Sequence, residues 1–230
     1  MSSGEGMVPL ENVNAEKDLG ILTDNELTFK AHMAEKIQKA NRIVGLIRRS
    51  FHFLDTEMFS TLYKSLVRPI LEYGSPVWSP EAKGSIIDVE NVQRRATKLV
   101  DSLSNLSYEE RMKILNLPSL EYRRVRGRMI ETYKILHNYY DFSFPWLTLE
   151  SDAIPKETTT GRMKTRGSAL KLHKEHKKTP AKRKVFSYQV VNDWNTLPHS
   201  VTNAATLNSF KNGLDKFWAK RMYSYTEYGK

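Results

Sequence analysis

The acidic residues are the first place to look for catalysis in this sequence. Two-metal phosphoryl or nucleotidyl transfer uses carboxylates that converge on paired ions about 4 Å apart. No two aspartates are adjacent anywhere in the 230 residues, and several stand alone, namely Asp24, Asp55, Asp88 and Asp101. Isolated aspartates of this kind usually cap helices or carry surface charge. The sequence therefore predicts no catalytic carboxylate site.

The histidines give no better case for a metal or a nucleophile. His173 and His176 lie three residues apart in a lysine-rich run, and the chain has no cysteine. Zinc sites need three or four ligands. Spacing neither supports nor excludes a serine–histidine–aspartate triad, since its members meet only in space. The sequence has no Gly-x-Ser-x-Gly elbow and no glycine-rich phosphate loop. We therefore predict no catalytic residue, no metal site and no cofactor in this chain.

The basic residues carry a stronger signal. The chain has 36 lysines and arginines against 26 acidic residues, for a net charge of +10. Residues 156–184 alone hold eleven lysines and arginines and two glutamates, for a net charge of +9. A cluster of this kind is typical of an interaction arm for a polyanion, either nucleic acid or an anionic membrane. The alternative is a soluble basic protein without a specific partner.

Further basic residues form rows on three predicted helices. Such rows can follow a phosphate backbone without reading base sequence, because each neutralised phosphate releases counterions. Each row alone is also typical of a solvated helix face. The candidate nucleic-acid-binding residues, with two from the basic arm, are Lys36, Lys39, Arg42, Arg48, Arg49, Arg94, Arg95, Lys98, Arg123, Arg124, Arg166 and Lys171.

Tryptophans are a second kind of candidate, since an indole can stack on a nucleic-acid base. The four in this chain are Trp78, Trp146, Trp194 and Trp218. Packing in a core or an interface is the commoner role of a tryptophan, and the sequence favours that role for each of them.

The first half of the chain has the patterns of a short hairpin and several helices. Residues 17–22 read as a strand, with residues 8–13 as its partner. Thr28 is expected to cap a helix that runs to about Ser50, with an apolar stripe of Met33, Ile37, Ala40, Val44 and Ile47. Asp55 is expected to cap the next helix, which Pro69 should kink or end. Residues 74–80 read as a loop because they contain two prolines and a glycine.

The second half continues this helical pattern. Ser85 is expected to open one helix, and Ser107 with Glu110 forms a capping box that opens another. Longer apolar periodicity predicts helices over residues 120–139, 185–194 and 207–218, with a weak strand signal between residues 166 and 172. These patterns predict a mainly α protein: a helical bundle with a small N-terminal β-hairpin and a basic, partly irregular C-terminal region.

Composition sets the remaining bounds. Hydrophobic residues make up 40% of the chain, enough for a core, and no run of about 18 apolar residues predicts a membrane span. The N-terminus lacks the features of a signal peptide. We therefore expect an intracellular protein, nuclear or cytoplasmic, with no membrane partner. The predicted divisions are a hairpin over 1–24, a bundle over 25–150, a basic linker or arm over 151–184 and short helices over 185–230.

Short motifs occur in an order that resembles one known family. They are KDLGILTDNELTFKAH at 17–32, ANR at 40–42, GLIRR at 45–49, LYKSLVRP at 62–69, LEYG at 71–74, VWSP at 77–80, VQRRATK at 92–98, YEER at 108–111, LEYRR at 120–124, TRG at 165–167, VNDWNTLP at 191–198 and SFK at 209–211. Together they cover roughly residues 8–218. The chain resembles the region that follows the polymerase palm of non-LTR, LINE-type, jockey-like retrotransposon reverse transcriptases.

This resemblance implies a fragment of an RNA-directed DNA polymerase polyprotein. Residues 17–22 look like the end of the palm, and residues 28–103 look like the thumb, which in that family grips the template–primer duplex. The family's polymerase signature, an aromatic residue, any residue and two aspartates, is absent here. Catalysis and its divalent metal would therefore belong to the missing palm. The implied partners are RNA or DNA template–primer and the upstream polymerase domain.

Two alternatives stay open on the sequence. One is a structural or protein-interaction bundle whose charge aids solubility or binds an acidic partner. It would be favoured if Lys36, Arg42, Arg94 and Arg95 pointed to unrelated sides of the protein. The other is an autonomous enzyme, which would require a cleft with converging carboxylates or a nucleophile–base pair.

Overall fold

The computed structural model describes residues 13–80, 82–141, 144–153, 170–174 and 185–224. In these residues the protein is mainly helical, with a two-stranded antiparallel hairpin near the N-terminus. The predicted fold class is therefore confirmed. Among the residues described, none of the helices combines the length and apolarity that crossing a bilayer requires. The predicted strand partner at residues 8–12, most of the basic arm and its Arg166 lie outside the described residues.

The hairpin lies later in the chain than the sequence pattern predicted. Strand β1, Ala15–Asp18, pairs with strand β2, Ile21–Asp24. Leu19 and Gly20 form the turn between them, with φ values of 45° and 79°. The prediction of one strand over residues 17–22 was wrong, because this turn lies at its centre. A two-residue hairpin turn of type I′ requires positive φ at both positions, and leucine at the first of them gives no sequence signal for it.

An aspartate of strand β2 holds the residues just before helix α1, Lys30–Ser50, by hydrogen bonds. The Asp24 carboxylate accepts hydrogen bonds from the backbone amides of Thr28 and Phe29 at 2.9 and 2.6 Å. It also accepts the Thr28 hydroxyl at 3.0 Å. Phe29 occupies the N-cap position and makes no side-chain capping hydrogen bond, so the prediction that Thr28 caps the helix was wrong. The Thr28 hydroxyl accepts the Lys30 amide at 3.5 Å, and Asp24 binds the amides of the two residues that precede the helix.

The apolar stripe predicted for α1 is confirmed. Met33, Ala40 and Ile47 are buried. Ile37 and Val44 are partly buried and pack against the same core. The periodic spacing of these side chains is what turns one side of the helix toward the rest of the protein.

A continuous helical rod follows, in three segments: α2 over Thr56–Leu62, a π-helical turn over Tyr63–Val67 and α3 over Arg68–Glu72. Asp55 caps it as predicted, since its carboxylate accepts the Met58 amide at 2.7 Å. Of the two outcomes expected at Pro69, an end to the helix is excluded, because the rod continues to Glu72, and a kink stays a prediction. The missing amide of Pro69 falls directly after the π-helical turn, where the backbone hydrogen bonds already shift register, and the proline occupies the first turn of α3.

The region predicted as a loop at residues 74–80 contains a short helix, α4, over Ser75–Trp78. Pro76 lies in its first turn, where a proline costs no hydrogen bond. Gly74 has a φ of 64°, and a Cβ atom there would lie 2.6 Å from Ile21 Cδ1. The close approach of α4 to strand β2 therefore depends on glycine at this position.

Helix α5, Lys83–Ala96, begins two residues before the expected cap. Ala82 occupies the N-cap position and makes no side-chain hydrogen bond, so the Ser85 prediction was wrong. Two 3₁₀ turns, Thr97–Leu99 and Asp101–Leu103, follow α5. Helix α6, Tyr108–Ile114, has the predicted capping box between Ser107 and Glu110.

Helix α7, Leu120–Leu136, joins two hydrophobic clusters. The first cluster contains side chains from Ile21 to Leu120, and the second contains side chains from Tyr122 to Trp218. Three later helices contribute side chains to the second cluster: α9 over Phe186–Asn195, α10 over His199–Thr202 and α11 over Leu207–Phe217. The short helix α8, Glu150–Ala153, precedes them in the chain. The domain divisions at residues 24, 150 and 184 stay a prediction.

Candidate nucleic-acid interface

Helices α1 and α5 pack side by side and leave an open groove of about 990 Å³ between them. Met33 and Ile37 of α1 supply apolar surface to the groove. Its polar and basic lining comes from both helices and includes Lys30, Gln38, Asn41, Arg42, Asn91 and Arg95. The groove therefore combines an apolar strip with hydrogen-bonding amides and cations.

Two of the predicted binding residues meet in this groove, one from each helix. Arg42 of α1 and Arg95 of α5 both line it and both are exposed. Arg95 Nη2 donates a hydrogen bond to Asn41 Oδ1 at 3.1 Å, which ties the guanidinium to the opposite helix. A guanidinium has five N–H donors, so this contact orients Arg95 and leaves it capacity to bind a phosphate.

The groove carries an excess of positive charge. Lys30, Arg42 and Arg95 face one carboxylate, that of Asp88. Across the described residues, none of these three cations forms an ion pair within 4 Å. The field in the groove is therefore suited to a ligand with repeated negative charges.

Lys30, Gln38 and Asn41 were not among the predicted site residues. They lie on α1 at spacings of eight and three residues, which places them near one another on one side of the helix. That periodicity was visible in the sequence. What it could not show was that α5 would pack along the same side and turn it into a groove.

The other candidates on α1 lie outside the groove. Lys36 has only 14% of its side chain exposed and lies 3.4 Å from the Gly20 carbonyl and 3.5 Å from Glu35 Oε1. It therefore ties α1 to the hairpin turn. Lys39, Arg48 and Arg49 are exposed. Arg48 and Arg49 occupy the last turn of α1, where cations are favoured by the helix dipole.

The two predicted binding residues near Arg95 in the sequence, Arg94 and Lys98, differ in their exposure. Lys98 is exposed on the 3₁₀ turn after α5. Arg94 is partly buried, and its carbonyl accepts a hydrogen bond from Arg111 Nη2 at 3.4 Å. Burial is the main effect that lowers the pKa of the Arg111 guanidinium. The interaction with Tyr108 raises this pKa, and the charge of Arg94 lowers it further. Four cations, Lys36, Arg42, Arg94 and Arg95, were to decide between nucleic-acid binding and a structural or protein-interaction bundle. Of these, only Arg42 and Arg95 line the groove.

The arginines of α7 have partners inside the protein. Arg123 binds the Glu72 carboxylate of α3 through two nitrogens, with Nη2 2.9 Å from Oε2. Arg126 binds Asp215 of α11 in the same way, at 2.5 and 2.8 Å. Arg124 is 3% exposed. Arg123 and Arg124, both predicted to bind nucleic acid, are thus held within the fold, and we leave them out of the interface.

Arg124 is buried near a hydrogen-bond network centred on Glu90 of α5, whose charge opposes the effect of burial on the pKa of Arg124. The Glu90 carboxylate is fully buried and accepts the Tyr108 hydroxyl at 2.6 Å and the Leu120 amide at 2.9 Å. It also accepts the Glu121 amide at 3.3 Å, so it caps the start of α7. Burial raises the pKa of Glu90, while the Tyr108 hydrogen bond and the Arg124 charge act in the opposite direction. This carboxylate is enclosed and supports structure.

The two arm candidates have different outcomes. Lys171 is exposed, and its Nζ lies 3.2 Å from Glu150 Oε2. Arg166 lies outside the described residues. In the ranges that the structure covers, no three histidine or acidic side chains come together as metal ligands would.

The tryptophans divide clearly. Trp78, Trp194 and Trp218 are buried in the two clusters, as favoured from the sequence. Trp146 is 70% exposed and does not pack in a core, so of the predicted core or interface role only the interface stays a prediction. It follows Pro145 in an irregular stretch that keeps most of the ring in solvent.

Comparison with known proteins gives a partial and distant match. No family model matches the chain, and no solved structure matches it. An uncharacterised protein, B0403.1, of Caenorhabditis elegans is 28% identical over 145 residues, which cover 62% of this chain and 73% of that protein.

A second match names an activity. A probable RNA-directed DNA polymerase from transposon X-element of Drosophila melanogaster is 29% identical over 98 residues, or 40% of this chain. The matched part spans 11% of that polymerase's length. This chain therefore contains a region similar to part of a retrotransposon RNA-directed DNA polymerase.

Proposed function

We propose that this protein binds the sugar–phosphate backbone of nucleic acid in the α1–α5 groove, as the thumb and post-thumb region of a non-LTR retrotransposon reverse transcriptase. The single observation that carries the proposal is the placement of Arg42 and Arg95 on opposite walls of one exposed groove. The similarity to a transposon polymerase supports it. In this role the chain grips template–primer and does no chemistry on it.

The contacts of the groove fit backbone binding better than base reading. Arginine and lysine bind phosphates, while amide side chains and apolar surface suit the sugars. Arg95 is already oriented by Asn41, so less side-chain freedom is lost when it binds a phosphate. Among the described residues none that lines the groove is aromatic, which disfavours stacking on unpaired bases there. We therefore assign a duplex, RNA–DNA or DNA–DNA, to this groove.

The test is fluorescence anisotropy with a labelled primer–template duplex across a series of salt concentrations. The wild type should bind more weakly as salt rises, since each phosphate contact releases counterions. The double variant Arg42→Gln/Arg95→Gln should lower the slope of log K against log salt by up to about two. A salt-independent affinity, or an unchanged slope in the variant, would show that the groove is not the binding surface.

The matched control removes two cations elsewhere. Lys216 of α11 and Lys220 after it are exposed and lie outside the groove. The double variant Lys216→Gln/Lys220→Gln has the same net charge as the groove variant. It should retain most of the wild-type affinity, because long-range attraction is screened beyond about 8–10 Å at moderate salt. Equal losses in the two variants would mean that net charge alone determines binding.

A protein-interaction bundle is the second candidate, and one observation favours it. Apolar side chains are exposed at the end of α1 and just after it: Leu46 by 51%, Phe51 by 37% and Phe53 by 75%. Exposed apolar side chains near one another are typical of protein contacts. This function predicts duplex affinity that does not respond to the Arg42 and Arg95 substitutions.

A further inference from the structure

Trp146 differs from the other tryptophans in its surroundings. Its ring makes an edge contact with Phe144, with ring centres 6.3 Å apart, and Phe144 makes a similar contact with Tyr140 at 6.1 Å. These contacts support the indole from one side while 70% of the residue stays exposed. Keeping a tryptophan in water forgoes the gain of burying it, so an exposed and supported ring is a candidate for ligand contact.

A shallow depression of mixed polar and apolar lining lies next to this ring. Its polar side chains include Thr148, His173, Lys174, Ser187 and Tyr188, and Leu147, Leu172 and Val191 form its apolar part. The enclosed volume is only about 20 Å³, which is room for a water and not for a nucleobase. A planar ligand at this place must therefore lie over the indole and the rim of the depression, where hydroxyl groups and a lysine surround it.

The residues of the basic arm that reach this depression are held firmly by backbone contacts. Leu172 is buried, and its amide and carbonyl both bind the Asn195 side chain at 2.9 Å. The Leu170 carbonyl accepts the Trp194 indole N–H at 2.8 Å. His173 donates its amide to the Thr148 carbonyl at 2.8 Å. Residues 170–174 are thus fixed against α9 and the stretch that carries Trp146.

This anchoring matters because of where residues 170–174 lie in the sequence. They occur inside the run of residues 156–184, which has a net charge of +9. Fixing them beside Trp146 brings Lys174 to the depression, and Lys171 forms an ion pair with Glu150 that offsets one nearby acidic charge. An exposed aromatic ring with cations beside it is the combination that binds single-stranded nucleic acid.

We propose that Trp146 and Lys174 form a second nucleic-acid site, which binds unpaired RNA or DNA by stacking one base on the indole while Lys174 contacts the adjacent phosphate. The site is separate from the α1–α5 groove and takes a different ligand, a single strand instead of a duplex. Stacking tolerates any base, since every base has a π face. The charge of Lys174 favours this occupant over an uncharged peptide.

Intrinsic tryptophan fluorescence gives a direct test. Trp146 is the exposed tryptophan in the described chain and the other three are buried, so a base stacked on it should quench the exposed part of the emission. Titration of the full chain with an unpaired ten-nucleotide oligothymidine should show this quenching. Trp146→Ala should abolish it and weaken binding about 5- to 30-fold, and Lys174→Gln should weaken it a few-fold.

Two controls separate this site from the groove and from the fold. The Arg42→Gln/Arg95→Gln variant should lose duplex affinity but keep the oligothymidine quenching, so the two proposals fail independently. An abasic ten-nucleotide strand presents the same phosphates without bases and should bind the wild type at least about 5-fold more weakly than oligothymidine. Equal affinity for the two strands, or unchanged binding by Trp146→Ala, would overturn the proposal. So would quenching by a proline-rich peptide when oligothymidine gives none.

Discussion

Replacing Glu90 by glutamine would remove one negative charge from the interior while keeping the size of the side chain. The carboxylate accepts hydrogen bonds from Tyr108 and from the backbone amides of Leu120 and Glu121. A glutamine has one carbonyl oxygen, so its amide group must face one of these donors. The variant therefore loses a charge, and it also places the NH₂ group of the glutamine opposite one of these hydrogen-bond donors.

The larger part of the cost comes from Arg124. Its guanidinium is 3% exposed, and its Nη1 and Nη2 atoms have no hydrogen-bond partner. Burial lowers the pKa of Arg124, and the charge of Glu90 is the first effect that opposes this. Losing the opposing charge together with a hydrogen bond to a charged acceptor typically costs about 1.5–3 kcal/mol. For a chain of this size that is a fall in Tm of roughly 3–12 °C.

Thermal and urea unfolding of the full chain, followed by circular dichroism at pH 7, measure this loss. Glu109→Gln is the matched control, because it breaks an exposed ion pair with Lys113 of 3.0 Å on the same helix as Tyr108. It should cost no more than about 0.5 kcal/mol. The double variant Glu90→Gln/Arg124→Met should recover part of the stability, since no buried cation is then left alone. Stability of Glu90→Gln within about 0.5 kcal/mol of the wild type, or strictly additive costs in the double variant, would refute the reasoning.

Two further substitutions test other buried features. The pKa of His32 is lowered chiefly by burial, so the unfolded chain binds this proton more readily and stability should fall as pH drops below about 6.5. His32→Asn keeps an acceptor for the Leu22 amide. Urea unfolding at pH 7.5 and 5.5 should show a smaller difference in unfolding free energy between the two pH values for this variant than for the wild type. An identical difference would contradict the assignment. Gly74→Ala should cost about 1–3 kcal/mol, because of its positive φ and the contact with Ile21. Gly127→Ala, where a Cβ atom meets nothing within 4 Å, should be neutral or stabilising by up to about 1 kcal/mol; equal effects at the two glycines would rule out this account.

Local patterns predicted the helices well where both the cause and the effect lie close in sequence. The stripe from Met33 to Ile47, the Asp55 cap and the capping box at Ser107 all depend on residues within a few turns of one another. Local patterns also failed in places, at the Leu19–Gly20 turn and at the Thr28 and Ser85 caps. Other contacts could not be predicted because the partners are distant in sequence. Capping of α7 by Glu90 joins atoms 30 residues apart, and no periodicity reports such a contact.

The same distinction applies to the candidate site. Charge and helical spacing identified Arg42 and Arg95, but only the packing of α5 on α1 shows that they line one groove. The row at Arg123 and Arg124 has the same appearance in the sequence. Its arginines are nonetheless paired or buried within the fold, because Glu72 and Glu90 approach α7 from distant parts of the chain. A run of basic residues in the sequence therefore shows how much charge a helix carries, and only the folded structure shows where those side chains point.

The position of α7 between the two hydrophobic clusters limits how the protein can be shortened. Its first residue, Leu120, packs with the N-terminal helices, and the side chains from Tyr122 to Tyr133 pack with the C-terminal ones. The Ser119 amide also donates to the carbonyl of Met222, near the last described residue. A fragment that ends before α7 would expose the Glu90 carboxylate to water and would remove Leu120 from the first hydrophobic cluster. A protein expressed for binding studies of the α1–α5 groove should therefore include the chain through residue 222.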